Sequence, residues 1–156
     1  MEKIKLVVFA CEHSGYLAYF SALSSGESSN FPPNDLLSET SNGSETSNGG
    51  GASNEDASSL RVVKVPCTGK VEVIDILKAL EEGADGILLF GCFEEACHFL
   101  HGNVRAKKRV EYVQGLLREI GMEPERVRFY HVAPDMGVRF GRFVEEAIGS
   151  LKNLAS

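Results

Sequence analysis

At 156 residues the chain is sized for one domain, and its 22 acidic against 16 basic residues, a formal net charge of -6, exclude a dedicated nucleic-acid binder, whose footprint is normally basic. Hydrophobic residues make up 43%, enough for a packed core, yet no apolar run approaches the ~20 residues that span a bilayer. The opening MEKIKLVVFA has neither a long apolar stretch nor a small-residue cleavage site, so no export signal is read there and a cytoplasmic location without membrane contact is expected.

The elements follow in chain order. Lys5–Ala10 is a continuous apolar run, as in a strand buried on both faces. A short helix is expected around Tyr16–Leu23. Residues 24–59 hold six acids (Glu27, Asp35, Glu39, Glu45, Glu55 and Asp56) and no Lys or Arg, so the whole net charge belongs to this one segment. It is rich in Ser, Asn and Gly and carries a perfect tandem repeat, SETSNG at 38–43 and again at 44–49. Such composition cannot bury enough apolar surface to offset its conformational entropy. About 35–59 is therefore expected to be a disordered insertion in a surface loop of a single 1–156 domain, tolerated because loop closure cost grows slowly with length.

Val62–Val65 reads as the second strand, closed by Pro66. Val71–Glu82 reads as a helix with Val73, Ile74, Leu77 and Leu80 on one face and Gly83 as its stop. Gly86–Phe90 is a third strand. Arg105–Ile120 is a helix striped by Val110, Val113, Leu117 and Ile120, stopped by Gly121 with Pro124 beyond. Val127–Val132 is the fourth strand. Asp135–Leu154 is a last helix, with Asp135 as a candidate N-cap and Phe140, Phe143, Val144, Ile148 and Leu151 on its apolar face. The alternation predicts an α/β fold: a four-stranded, mostly parallel open sheet with helices on both faces, in the flavodoxin-like order 2-1-3-4.

The cysteines are the most informative residues. Cys11 follows the first strand, Cys67 the second and Cys92 the third; Cys97 lies in the next loop, in C-x4-C spacing. In a parallel sheet all strand C-termini share one edge, where ligands bind. Cys11, Cys67, Cys92 and Cys97 are thus expected to converge. Without an export signal, metal ligation or thiol chemistry is favoured over disulfides. Four thiolates suit zinc or an iron–sulfur cluster, while scattered buried thiols would not cluster at strand ends. His13, His98, His101 and His131 fall near the same edge. A histidine beside a cluster more often donates a hydrogen bond than replaces a thiolate.

Other signals are weaker. Arg105, Lys107, Lys108 and Arg109 begin the third helix, where cations are unfavourable beside the dipole; they are either a solvated face or a surface for an acidic partner. Thr68-Gly69-Lys70 is either a tight strand-to-helix turn or a set of N–H donors for a sulfur or an anion. Neither GxGxxG nor GxxxxGK[ST] occurs, so no dinucleotide or P-loop site is expected. A thiol enzyme would use His13 or His98 to activate a cysteine, but no nucleophile elbow accompanies one.

An ordered series of short stretches carries a resemblance: Phe31-Pro32-Pro33-Asn34, Arg61 through Lys70 (RVVKVPCTGK), Ile76-Leu77-Lys78-Ala79, Glu82 through Gly86 (EGADG), Gly91-Cys92, Cys97-His98, Gly102-Asn103 and Gly121 through Arg128 (GMEPERVR). By these the chain resembles the delta subunit of methyl-viologen-reducing hydrogenase, an iron–sulfur protein associated with heterodisulfide reductase. The resemblance implies an electron-transfer subunit with a [2Fe–2S] cluster. Its implied partners are a hydrogenase or formate dehydrogenase on one side and the flavin-containing subunit of heterodisulfide reductase on the other. It implies cluster binding by the cysteines and no catalytic residue of its own. The chain departs from the family near its first strand, where a pattern like Phe-Cys-Cys-x-x-Cys becomes Phe9-Ala10-Cys11-Glu12-His13-Ser14, and at Phe93, where the family has histidine. Two ligand sets stay open: four cysteines including Cys11, or three strong ligands with Ser14 at a cysteine position. A zinc-binding or clusterless docking module of the same redox complex is the alternative.

Overall fold

The computed structural model describes residues 4–24, 59–93 and 101–155. The expected insertion, apart from Ser59, lies outside these residues, as do Cys97 and His98.

Four strands, β1 (Lys5–Cys11), β2 (Ser59–Val65), β3 (Gly86–Gly91) and β4 (Val127–His131), form one parallel sheet in the order β2-β1-β3-β4. Four α-helices connect and flank them: α1 (Gly15–Ser24), α2 (Val73–Glu81), α3 (Gly102–Glu119) and α4 (Gly137–Ala155). The order and the flavodoxin-like topology are those expected from the alternation of elements.

The strand period of two divides the core. Leu6, Val8 and Ala10 of β1 and Leu88 and Phe90 of β3 face α1 and α4, meeting Ala18, Tyr19, Phe140 and Val144. Phe90 lies 4.4 Å from Phe140 between ring centroids. Val7 and Phe9 of β1 and Ile87 and Leu89 of β3 turn the other way, toward Ile76 of α2 and Val110, Val113 and Leu117 of α3. β3 is buried at all six residues, which is why GILLF reads as an unbroken apolar run rather than as an alternation.

The helix stops were legible. Gly83 (φ 101) and Gly121 (φ 79) adopt the left-handed conformation that only glycine takes at little cost. Each closes a Schellman motif, with Ala84 N–H donating to Ala79 O and Met122 N–H to Leu117 O. The helix starts differ from expectation. α2 begins at Val73 because Thr68–Lys70 first makes a 3-10 turn, and its buried residue is Ile76, while Ile74 is about half exposed. α3 begins three residues early, at Gly102, because Asn103 is drawn into tertiary hydrogen bonds described below. Its Ile120 is the exposed C-cap rather than part of the buried stripe. α4 begins at Gly137, so Asp135 lies ahead of the helix rather than at its N-cap.

α1 sits hard against β3. A Cβ on Gly15 would lie 2.6 Å from Phe90 O and 2.7 Å from Phe90 Cβ, closer than real atoms approach. Gly15→Ala is accordingly expected to destabilise the fold by about 1–3 kcal/mol, the range for overpacking. The urea midpoint would fall with an unchanged m-value. A midpoint equal to wild type would mean that α1 moves outward freely.

Candidate metal centre

The site is built where the sheet changes direction. From β1 the chain goes to one neighbour, β2, and then returns past β1 to β3, so the C-terminal ends of β1 and β3 flank the switch point at which such sheets bind ligands. Cys11 ends β1 and Cys92 follows β3. Their Sγ atoms are 3.8 Å apart and both residues are buried. A tetrahedral metal with metal–sulfur bonds of about 2.3 Å has ligand sulfurs about 3.8 Å apart, so this pair fits two ligands of one ion.

Cys67, also buried, stands at the end of β2 behind Pro66 and caps the 3-10 turn, its Sγ accepting the Gly69 N–H at 3.4 Å. Of the two readings of Thr68-Gly69-Lys70, the structure thus has the turn itself supplying an N–H to a thiol sulfur. The turn is pinned against α3: a Cβ on Gly69 would lie 2.7 Å from Gly102 Cα. Arg109 closes the same contact, donating from Nη1 to the carbonyls of Gly69 and Val71. One member of the basic run is therefore a structural clamp, while Arg105, Lys107 and Lys108 are exposed.

The third group near the thiol pair is a hydroxyl. Ser14 is 2% exposed, and its Oγ lies 3.3 Å from Cys92 Sγ. The family departure at Ser14 therefore falls inside the thiol cluster. The main chain of Cys92 is held as firmly as its side chain. Asn103 Nδ2 donates to Cys92 O and Phe93 O, both at 2.9 Å, and its Oδ1 accepts the Val104 N–H. His131 Nδ1, at 2.8 Å from Cys92 O, must be the protonated ring nitrogen, since a carbonyl only accepts. His131 also stacks on the partly exposed Phe93. His13 lies 3.9 Å from Glu12 at the surface and His101 is exposed.

Three of the four expected thiols thus reach the same edge, two of them in direct contact, and Cys97 lies outside the described residues. Among the described residues no three His, Cys, Asp or Glu side chains already form a metal-holding group. The donor chemistry nonetheless suits a thiolate centre: soft sulfurs, buried, with an N–H on one and a hydroxyl on another. Asn103 and Arg109 were not singled out from sequence as site residues, although Gly102-Asn103 belonged to the series that carries the resemblance; a buried, fully bonded Asn has no periodic signature.

Burial pushes the Cys11 thiol up to about 11, reinforced by the neighbouring Cys92 and opposed by a main-chain hydrogen bond at His13 and by the Ser14 hydroxyl. In metal-free protein the unfolded chain, with its thiol near 9.0, ionises first as pH rises. The native state then holds the proton more tightly, so this contribution is intact below pH ~9 and is lost between about 9 and 11. The stability advantage of wild type over Cys11→Ser should therefore shrink as pH rises across that window; a constant difference would contradict it.

The sequence model of a family described as methyl-viologen-reducing hydrogenase, delta subunit, matches residues 41–155. The iron-sulfur subunit of an F420-non-reducing hydrogenase from Archaeoglobus profundus is 38% identical over 96 residues, which is 62% of this chain and 70% of that protein. The vhu iron-sulfur subunit of the F420-non-reducing hydrogenase from Methanopyrus kandleri is 38% identical over 97 residues, 62% of this chain and 74% of its own length. A component of the ferredoxin/F420H2-dependent CoB-CoM heterodisulfide reductase from Methanosarcina acetivorans is 35% identical over 97 residues, but the match spans only 12% of that larger protein. None of the described helices is long and apolar enough to cross a membrane.

Proposed function

Because the chain belongs to the methyl-viologen-reducing hydrogenase delta-subunit family, we propose that it is an iron–sulfur electron-transfer protein whose cysteines Cys11, Cys67, Cys92 and Cys97 hold a [2Fe–2S] cluster. Its electrons would come from a hydrogenase or formate dehydrogenase and pass to a flavin-containing subunit of heterodisulfide-reductase type. The observation that carries this reading is the buried Cys11–Cys92 contact at the switch point of the sheet. The names of the relatives support it: the same domain stands alone as an iron-sulfur component of hydrogenase, and it lies within a larger heterodisulfide reductase protein. A domain found both alone and fused to a larger protein suits docking against that protein.

When bound, the cluster supplies one-electron redox chemistry. The chain itself contributes the thiolates, a sheet edge that keeps Cys11 and Cys92 from bulk water, and the N–H and hydroxyl groups near the sulfurs. Nothing in this role requires a catalytic acid, base or nucleophile.

The presence of Ser14 within the thiol group also favours a second reading, a zinc-binding or clusterless docking module of the same complex. Zinc is redox-inactive, so one measurement separates the two. Anaerobically purified protein is analysed for iron, zinc and acid-labile sulfide, then reduced with dithionite and examined by EPR. About two irons and two sulfides per chain with a spin-half signal support the relay. Stoichiometric zinc, or no metal in protein kept anaerobic throughout, would favour the docking module.

A further inference from the structure

We infer that Ser14 tunes the proposed cluster as a positioning residue: its hydroxyl donates a hydrogen bond to the Cys92 thiolate and raises the reduction potential of the centre, without ligating metal. The inference rests on the cluster reading above and assigns the Ser14 hydroxyl a specific effect on that centre.

Ser14 is placed with little freedom. Its N–H donates to Cys11 O at 3.1 Å, and its own carbonyl accepts the Ala18 N–H as α1 begins. The next residue, Gly15, is packed onto the backbone of Phe90, two positions before Cys92. The tight turn from β1 into α1 therefore delivers a hydroxyl to β3's cysteine across the switch point, at 3.3 Å from its sulfur and 2% exposed. A serine at the start of a helix ordinarily serves its own first-turn N–H groups. Here Oγ is instead within bonding distance of a sulfur 78 residues away in sequence.

The direction of that bond depends on the state of the thiol. With Cys92 protonated, its S–H donates to Ser14 Oγ. A metal-bound thiolate has no proton and only accepts, so the one proton left between the two atoms is the hydroxyl's. Rotation about Cβ–Oγ suffices to point it at sulfur, since a hydroxyl can donate or accept. Reduction adds negative charge to the centre, and a donor on a ligand sulfur stabilises the reduced form more than the oxidised one. Ligation by Ser14 is disfavoured: an alkoxide is a hard donor that forms at high pH, and two softer thiols stand beside it.

The test compares wild type with Ser14→Ala and Ser14→Cys, each loaded anaerobically with ferrous iron and sulfide. Metal content and an EPR-monitored potential titration are measured on all three. Ser14→Ala is expected to keep wild-type iron and sulfide, and to lower the midpoint by about a tenfold change in the one-electron equilibrium, ~59 mV. Ser14→Cys, close in size and a weaker donor, should fall between the two. An unchanged or raised midpoint in Ser14→Ala overturns the inference while leaving the cluster reading intact. Iron lost in Ser14→Ala and restored with altered g-values in Ser14→Cys would make this position a ligand, which also overturns it. If wild type takes up neither iron nor sulfide, the cluster reading fails first and the tuning role falls with it.

Discussion

Cys92→Ser is expected to bring the iron content of the anaerobically loaded chain from about two per chain to near zero. The visible absorption and the EPR signal of the reduced protein should go with it. Cys92 is the hub of the site: its sulfur meets Cys11 Sγ and Ser14 Oγ, and its carbonyl is held by Asn103 and His131. The variant keeps the main-chain restraints and exchanges one soft sulfur for a hard oxygen, so the fold should survive and the loss should be local to the metal. Cys11→Ser is the informative companion. If Cys11 completes the ligand set, this variant loses iron as well. If iron stays, the fourth ligand is another group and the contact with Cys92 is only packing. Cys67→Ser and Cys97→Ser extend the same reasoning to the remaining strand end and its loop. Wild-type iron in Cys92→Ser would remove Cys92 from the proposed ligand set and with it the observation on which the cluster reading rests.

What made the architecture legible was agreement between period and punctuation. The unbroken GILLF run marked a strand buried on both faces, and β3 is buried at every residue. Gly83 and Gly121 marked helix ends because a left-handed residue is needed there. Alternating strands and helices allowed few sheet orders, and placing cysteines at three strand ends then put them on one edge. The contact between Cys11 and Cys92 follows from that geometry, since β1 and β3 are neighbours in the sheet. Less legible were features set by contacts distant in sequence. α2 starts two residues later than expected, after a 3-10 turn clamped by Arg109 of α3; Ile76 rather than Ile74 joins Val73, Leu77 and Leu80 in the core, as the i, i+3, i+4, i+7 spacing from Val73 requires. Arg109 read as one cation in a basic run; it flanks the buried Ala106, Val110 and Val113 stripe, but only the fold shows that the carbonyls of Gly69 and Val71 wait beside it. Ser14 stood out as a departure from a family pattern. That its hydroxyl meets a sulfur depends on how tightly Gly15 lets α1 approach β3, which no local propensity encodes.

Asn103→Ala is expected to have the second largest effect, on stability and on metal retention together. Asn103 is fully buried and uses both ends of its amide: two donations to the carbonyls of Cys92 and Phe93, and one acceptance from the Val104 N–H at the start of α3. Alanine leaves Phe93 O and Val104 N–H without this partner, while Cys92 O keeps His131. Both groups are only part-buried, so water recovers some of each loss; at the low end of about 1–3 kcal/mol per orphan, a total loss of about 2 kcal/mol is expected in chemical denaturation. Because these bonds fix the main chain of Cys92, the loaded variant should also release iron to a chelator faster than wild type. Asn103→Asp separates shape from hydrogen bonding. It keeps the acceptor for Val104 but turns a carboxyl oxygen toward two carbonyls. Only the protonated acid can donate there, so its folded pKa is raised above the usual ~4. A raised carboxyl pKa means that the native state holds the proton more tightly. The penalty of Asn103→Asp is therefore smallest below pH ~4 and grows as pH rises through the raised value, while that of Asn103→Ala stays flat. Parallel pH profiles for the two variants would show that the amide's donations do not hold the Cys92 carbonyl. The clamp on the proposed ligand would then have to come from His131 alone.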